Sequence, residues 1–156
     1  AAGELKGFKE KFKLVLVGDT SPEILDSINL AGLNPYLKLT GTISHLEAIK
    51  YQNQSQLLLL LEANTIAASY IIPGKLFEYM VSERPIIAIG PEGADFAAII
   101  KSTNTGVFLT YSEKEKLKQT LTGYFEEYQK GTLRSHPIGL QQYSRKNLTG
   151  ELVKVL

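Results

Sequence analysis

Lys75 and Glu78 lie one helical turn apart in the stretch Ile72-Pro73-Gly74-Lys75-Leu76-Phe77-Glu78-Tyr79-Met80. The Pro-Gly pair reads as a loop running into a helix N-terminus, where unsatisfied N–H groups and a partial positive charge favour an anion. A lysine in that first turn is mildly unfavourable unless something negative stands near it. A phosphate would supply that charge, and Gly74 would let it approach the backbone. Glu78, one turn further in, carries a carboxylate able to accept hydrogen bonds from a sugar diol. A nucleoside diphosphate carries both groups in fixed relation. The same two residues also read as an exposed i,i+3 ion pair worth about 0.2–0.5 kcal/mol, and a Lys-x-x-Glu spacing alone does not separate the two readings.

The remaining candidates are weaker. His45 follows a strand end, where it either touches a ligand or makes structural hydrogen bonds. His136 precedes Pro137 in a polar loop and reads as solvent-exposed. Two histidines, with no cysteine and no carboxylate cluster at ligand spacing, do not compose a metal site. Asp19 invites comparison with the phospho-acceptor of receiver domains, but the acidic pair that such domains carry at the first strand's end is missing. Gly18 alone falls short of the G-x-G-x-x-G fingerprint of nicotinamide sites. The glycines of Gly90-Pro91-Glu92-Gly93-Ala94-Asp95 make a strand-to-helix turn, and the charged run Ser112 to Lys118 reads as a solvated helix face.

Bulk composition narrows the classes. A length of 156 residues suits one domain with its own core. The balance of 17 Lys+Arg against 16 Asp+Glu gives no electrostatic reason to expect nucleic acid. The absence of cysteine removes disulfides, thiolate metal sites and cysteine nucleophiles, and is compatible with the cytosol. The longest purely apolar run, Leu57 to Leu61, is far short of the roughly 20 residues of a membrane-spanning helix. The N-terminal Ala1 to Lys13 is too polar for a signal peptide and is expected to be a junction or the cut end of a longer chain.

The elements that must position these residues alternate as strands and helices. Strands are expected over Lys13 to Gly18, Tyr36 to Gly41, Gln56 to Glu62, Pro85 to Gly90 and Gly106 to Thr110. The third is apolar on both faces, as a central parallel strand covered by helices on each side would be. Ser21-Pro22 marks the start of a helix running to about Ala31, and Ser44 caps a short amphipathic helix. Further helices are expected from Gly74, over Ala94 to Ser102, over Ser112 to Gly131, and from near Tyr143 to the end. On the helix opening at Gly74, the spacing predicts Leu76, Phe77, Met80 and Val81 on the core face. It puts Lys75, Glu78, Tyr79 and Ser82 on the other. The fold class is therefore α/β, a doubly wound parallel sheet, with its crevice beyond strand ends Gly18, Gly41, Glu62, Gly90 and Thr110.

The span from about Lys13 to Leu156 resembles the C-terminal, donor-binding domain of GT-B fold glycosyltransferases, in particular the family 4 (group 1) retaining enzymes. The resemblance runs in order through KLVLVGD, LKLTGTISHLEAIKYQNQSQLLLLL, IPGKLFEYMVSERPIIAIGPEGADFAAIIKSTNTG and YSRKNLTGELVKVL. It implies a Rossmann-like sheet in a three-layer αβα arrangement, with residues 1–156 forming one nucleotide-sugar-binding domain of a longer two-domain enzyme. It also implies hexosyl transfer from a nucleoside diphosphate sugar, with no cofactor and no metal needed for donor binding. By the resemblance Glu78 matches the glutamate that binds the ribose hydroxyls, and Pro73, Gly74 and Lys75 lie near the diphosphate. Thr42 to His45, including Ser44 and His45, lie near the nucleobase, and Gly18 borders the same crevice. No catalytic residue is assigned.

The implied partners are the sugar nucleotide and an N-terminal GT-B domain supplying the acceptor site. The implied location is cytoplasmic, with membrane-peripheral association through that other domain. The resemblance departs at Tyr70, which stands where family 4 enzymes carry a second glutamate near the donor sugar. Two alternatives stay open: a noncatalytic α/β interaction module that has lost donor binding, and half of a sugar-nucleotide epimerase.

Overall fold

The computed structural model describes residues 7–155. The readings that fall on residues 1–6 and on Leu156 lie outside the described residues. The chain has an α/β, Rossmann-like fold, in which parallel strands alternate with helices. It divides into two compact units, 1–51 and 52–156.

The first unit opens with a short helix α1 (Phe8–Lys11), followed by β1 (Leu14–Leu16), α2 (Pro22–Leu30) and, after a single 3-10 turn, β2 (Leu37–Leu39). Its last element, α3 (His45–Gln54), crosses the boundary between the units. Pro22 takes the first helical position of α2, where its missing N–H costs nothing. Gly32, at φ 69°, ends that helix in the left-handed region, and the Leu33 N–H reaches back to the Ile28 carbonyl at 3.1 Å. β1 and β2 run parallel with Leu14, Val15 and Leu16 opposite Leu37, Lys38 and Leu39. Phe8 is buried and stacks on Phe12, whose ring in turn meets Tyr36.

The second unit holds β3 (Leu58–Leu61), α4 (Ile66–Ser69), α5 (Gly74–Val81), β4 (Ile86–Gly90), α6 (Asp95–Thr103), β5 (Gly106–Thr110), α7 (Lys114–Lys130) and α8 (Arg145–Val155). Its sheet is parallel, in the order β3-β4-β5. Leu58, Leu60, Ile86 and Ala88 on this sheet pack against Leu76 and Met80 of α5 and Phe96, Ile99 and Ile100 of α6. This burial of large apolar side chains is the main stabilising contribution. Phe96 also meets Phe108 edge-on, with centroids 5.4 Å apart.

Three expectations are corrected here. The five strands form sheets of two and three, and β3 is an edge strand of the larger sheet. Leu58 and Leu60 are buried while Leu59 and Leu61 are exposed, so the run of leucines has one covered face. An unbroken apolar run does not encode which of its two faces will be packed. On α5 the core stripe is rotated from its expected position: Leu76 and Met80 are buried, Tyr79 packs on the core with Phe77, and Val81 is 68% exposed. Residues 76, 79 and 80 share a face by the i, i+3, i+4 rule, and Val81 falls off its side. Finally, α4 and the short helix α1 were not legible in the pattern, because a single turn leaves no periodicity to read.

Candidate functional site

The candidate site in the second unit is built on the start of α5. Pro73 is its N-cap, with φ −64° and ψ 129°, and provides no side-chain hydrogen bond to the first turn. The Leu76 N–H closes back on the Pro73 carbonyl at 2.9 Å. The first turn contains no acidic residue, so its partial positive charge is reinforced by Lys75 rather than offset. Gly74 is exposed, and a Cβ built on it would meet nothing within 4 Å, which leaves the backbone open to approach. Lys75 is likewise exposed.

Glu78 is half-buried on the second turn, and its Oε2 accepts a hydrogen bond from Gln52 Nε2 at 3.1 Å. Gln52 lies in the last turn of α3, far from Glu78 in sequence, and no local spacing announces the contact. Beside it, Arg84 donates from Nη2 to the Asn53 carbonyl at 2.7 Å. The end of α3 is thus tied to α5 at its second turn and again just past its C-terminus. Tyr79 follows Glu78; burial pushes its hydroxyl pKa above the ordinary tyrosine range, and the Glu78 charge adds to the rise. Tyr79 is therefore a neutral hydroxyl at physiological pH.

Tyr70 is the C-cap residue of α4 and is 74% exposed. Thr65 caps the other end of that turn, accepting from the Ala68 N–H at 3.2 Å. Tyr111 donates its hydroxyl to the Glu62 carbonyl at 2.7 Å, so the carboxyl end of β3 is bridged to the residue that follows β5.

In the first unit, Gly18 has φ 106° and forms an isolated bridge with Gly41. Its N–H donates to the Gly41 carbonyl at 3.1 Å, with the Thr40 hydroxyl a longer second acceptor at 3.4 Å. That amide is engaged within the protein, so Gly18 contributes backbone shape at the strand end and not an open anion-binding N–H. Thr42 donates to Asp19 Oδ2 at 2.9 Å, closing the carboxyl ends of β1 and β2 together.

Ser44 forms a reciprocal capping box with Glu47. The Ser44 N–H and hydroxyl both meet Glu47 Oε2, at 3.0 and 2.6 Å, and the Glu47 N–H reaches the Ser44 hydroxyl at 3.3 Å. The Ser44 hydroxyl, followed by its N–H, holds the Glu47 pKa below the usual carboxylate value. Ser44 thus acts as the cap expected of it. His45 is exposed at the first position of α3.

Pro73, Gly74, Lys75 and Glu78 therefore share one helix start in the second unit. Gly18, Ser44 and His45 stand at the strand ends and helix start of the first. Sequence reasoning missed Gln52. An open groove of ≈ 470 Å³ lies elsewhere in the second unit, between α6 and β5, lined by Ala97, Ala98, Lys101, Asn104, Val107 and Phe108 among others. It takes in none of the expected residues. Among the described residues no group of three or more His, Asp or Glu is placed to hold a metal ion. Nor is any helix among them long and apolar enough to cross a membrane.

No protein-family model matches the chain, and no curated protein matches it.

Proposed function

We propose that the chain binds a nucleoside diphosphate sugar as the donor half of a retaining glycosyltransferase that moves a hexose-type sugar to an acceptor. The supporting observation is the start of α5. It has no side-chain cap and no acidic residue in its first turn, it carries exposed Lys75 beside open Gly74, and half-buried Glu78 follows one turn on. In this reading the first-turn N–H groups and Lys75 take the diphosphate, and Glu78 accepts the ribose hydroxyls. The ordered sequence resemblance to the GT-B donor domain supplies the sugar, and the α/β fold is compatible with it. A second domain would carry the acceptor site, in a cytoplasmic enzyme that meets the membrane through that domain. The isolated chain would bind donor weakly and transfer nothing.

A second reading rests on Tyr70. An exposed phenol stands where family 4 enzymes carry a carboxylate near the donor sugar, as in a noncatalytic interaction module that keeps the fold without the donor site. Calorimetric titration with UDP, GDP and ADP separates the two. Saturable binding that Glu78→Ala reduces at least about tenfold, the loss of a charged hydrogen bond, supports the donor site. Absence of binding by the wild-type chain at millimolar nucleotide favours the module.

A further inference from the structure

We propose that Gln52 is the positioning residue for Glu78, and that it makes this site select ribonucleotides over 2′-deoxyribonucleotides. The inference rests on the donor-site reading above and adds to it a residue and a selectivity. A glutamate side chain has several rotatable bonds, and ordering it costs appreciable conformational entropy. Here the order is present before any ligand arrives. Gln52 Nε2 lies 3.1 Å from Glu78 Oε2, and both residues are half-buried. A carboxylate only accepts, so the amide must present its NH2 group, and its orientation is fixed.

Gln52 is itself held. It lies in the last turn of α3, next to Asn53, whose carbonyl accepts the 2.7 Å hydrogen bond from Arg84. Arg84 follows α5 by a short turn, so the two ties bracket the helix that carries Glu78. A vicinal diol can donate two hydrogen bonds to one carboxylate only if that carboxylate is held in a suitable plane. A 2′-deoxyribose lacks one donor. The preference for ribose therefore depends on a carboxylate that does not swing to follow the single remaining hydroxyl.

The experiment titrates UDP, GDP and ADP, each with its 2′-deoxy counterpart, into the 156-residue chain and its Gln52→Met, Gln52→Lys and Glu78→Ala variants. Wild type is expected to favour the ribose form by about tenfold or more, the weight of one hydrogen bond to a charged group. Gln52→Met keeps the length without the donor; it should weaken ribonucleotide binding about five- to tenfold and leave the deoxy form within about twofold. Gln52→Lys restores a donor and should retain the preference. Cooperative melting only slightly below that of wild type in Gln52→Met separates positioning from a fold defect. If Glu78→Ala abolishes binding while Gln52→Met keeps the wild-type ribose preference, the role of Gln52 is overturned and the donor site stands. If the wild-type chain binds no nucleotide, both fall.

Discussion

Gly106 lies so close to Ile86, its register partner across β5 and β4, that a Cβ placed on it would stand 2.0 Å from the Ile86 carbonyl oxygen. The Ile86 nitrogen and carbonyl carbon would each be 2.7 Å away. These are backbone atoms at the centre of the three-stranded sheet and have nowhere to go. Gly106→Ala is therefore expected to destabilise the second unit by about 3 kcal/mol, the upper range of overpacking costs. Urea denaturation followed by circular dichroism would show a clearly lower midpoint, and an unchanged midpoint would contradict the close approach.

Thr103 and Thr105 are both fully buried and share a hydrogen bond of 3.0 Å, while the Thr103 hydroxyl also reaches the Ile99 carbonyl at 2.7 Å. Removing the Thr103 hydroxyl strands that of Thr105 in an apolar setting, whereas Thr103 keeps the Ile99 carbonyl when Thr105 is changed, and removing both hydroxyls strands neither. Thr105→Val is expected to cost about 1–2 kcal/mol. Thr103→Val should cost at least as much, because its hydroxyl serves two partners. The double variant should cost less than the sum of the singles, which a double-mutant cycle of denaturation energies measures directly.

Glu83 occupies the turn between α5 and β4 with φ 57°, a left-handed conformation that disfavours residues with a Cβ. Its side chain is exposed, so little packing opposes its removal. Glu83→Gly is expected to stabilise the second unit by up to about 1 kcal/mol, and Glu83→Ala is not. A melting temperature that rises for alanine and falls for glycine would argue against strain at this position.

Glu47 gives a pH dependence to the start of α3. Its pKa is lowered in the folded chain by the Ser44 hydroxyl and N–H. The unfolded chain therefore holds its proton at a higher pH than the folded one. The associated stability is present above the unfolded carboxylate pKa and is lost as pH falls through the lower folded value. The protection of the Ser44 and Glu47 amides, relative to the intrinsic exchange rate at each pH, should thus fall on acidification below the ordinary carboxylate range. Glu47→Gln should exchange faster at neutral pH, with a weaker response to acid, and Ser44→Ala should bring the Glu47 pKa back up, as NMR titration would show.

Much of this architecture is written locally. Gly106 to Thr110 and Ile86 to Gly90 form strands where β-branched and apolar runs placed them, and Ser44 with Glu47 spells out the start of α3 in four consecutive residues. The candidate site was partly legible for the same reason, since Pro73, Gly74, Lys75 and Glu78 are neighbours on one short helix. Helix starts, strand ends and caps depend on groups a few residues apart, and a pattern of that length is visible in the chain itself.

The burial of Tyr79 in place of Val81, the division of five strands into sheets of two and three, and the one covered face of β3 depend on what each element meets in space. The contact that holds Glu78 is of that kind. Gln52 and Glu78 belong to different helices with a strand between them, and only the tertiary fold brings the amide to the carboxylate. Sequence alone determined the order of the elements, their parallel α/β character and the anion-favouring start of α5, because each follows from local hydrogen bonding and periodicity. Tertiary structure decided which faces are buried and which side chain orients the carboxylate, because packing and donor geometry couple residues that no local spacing relates.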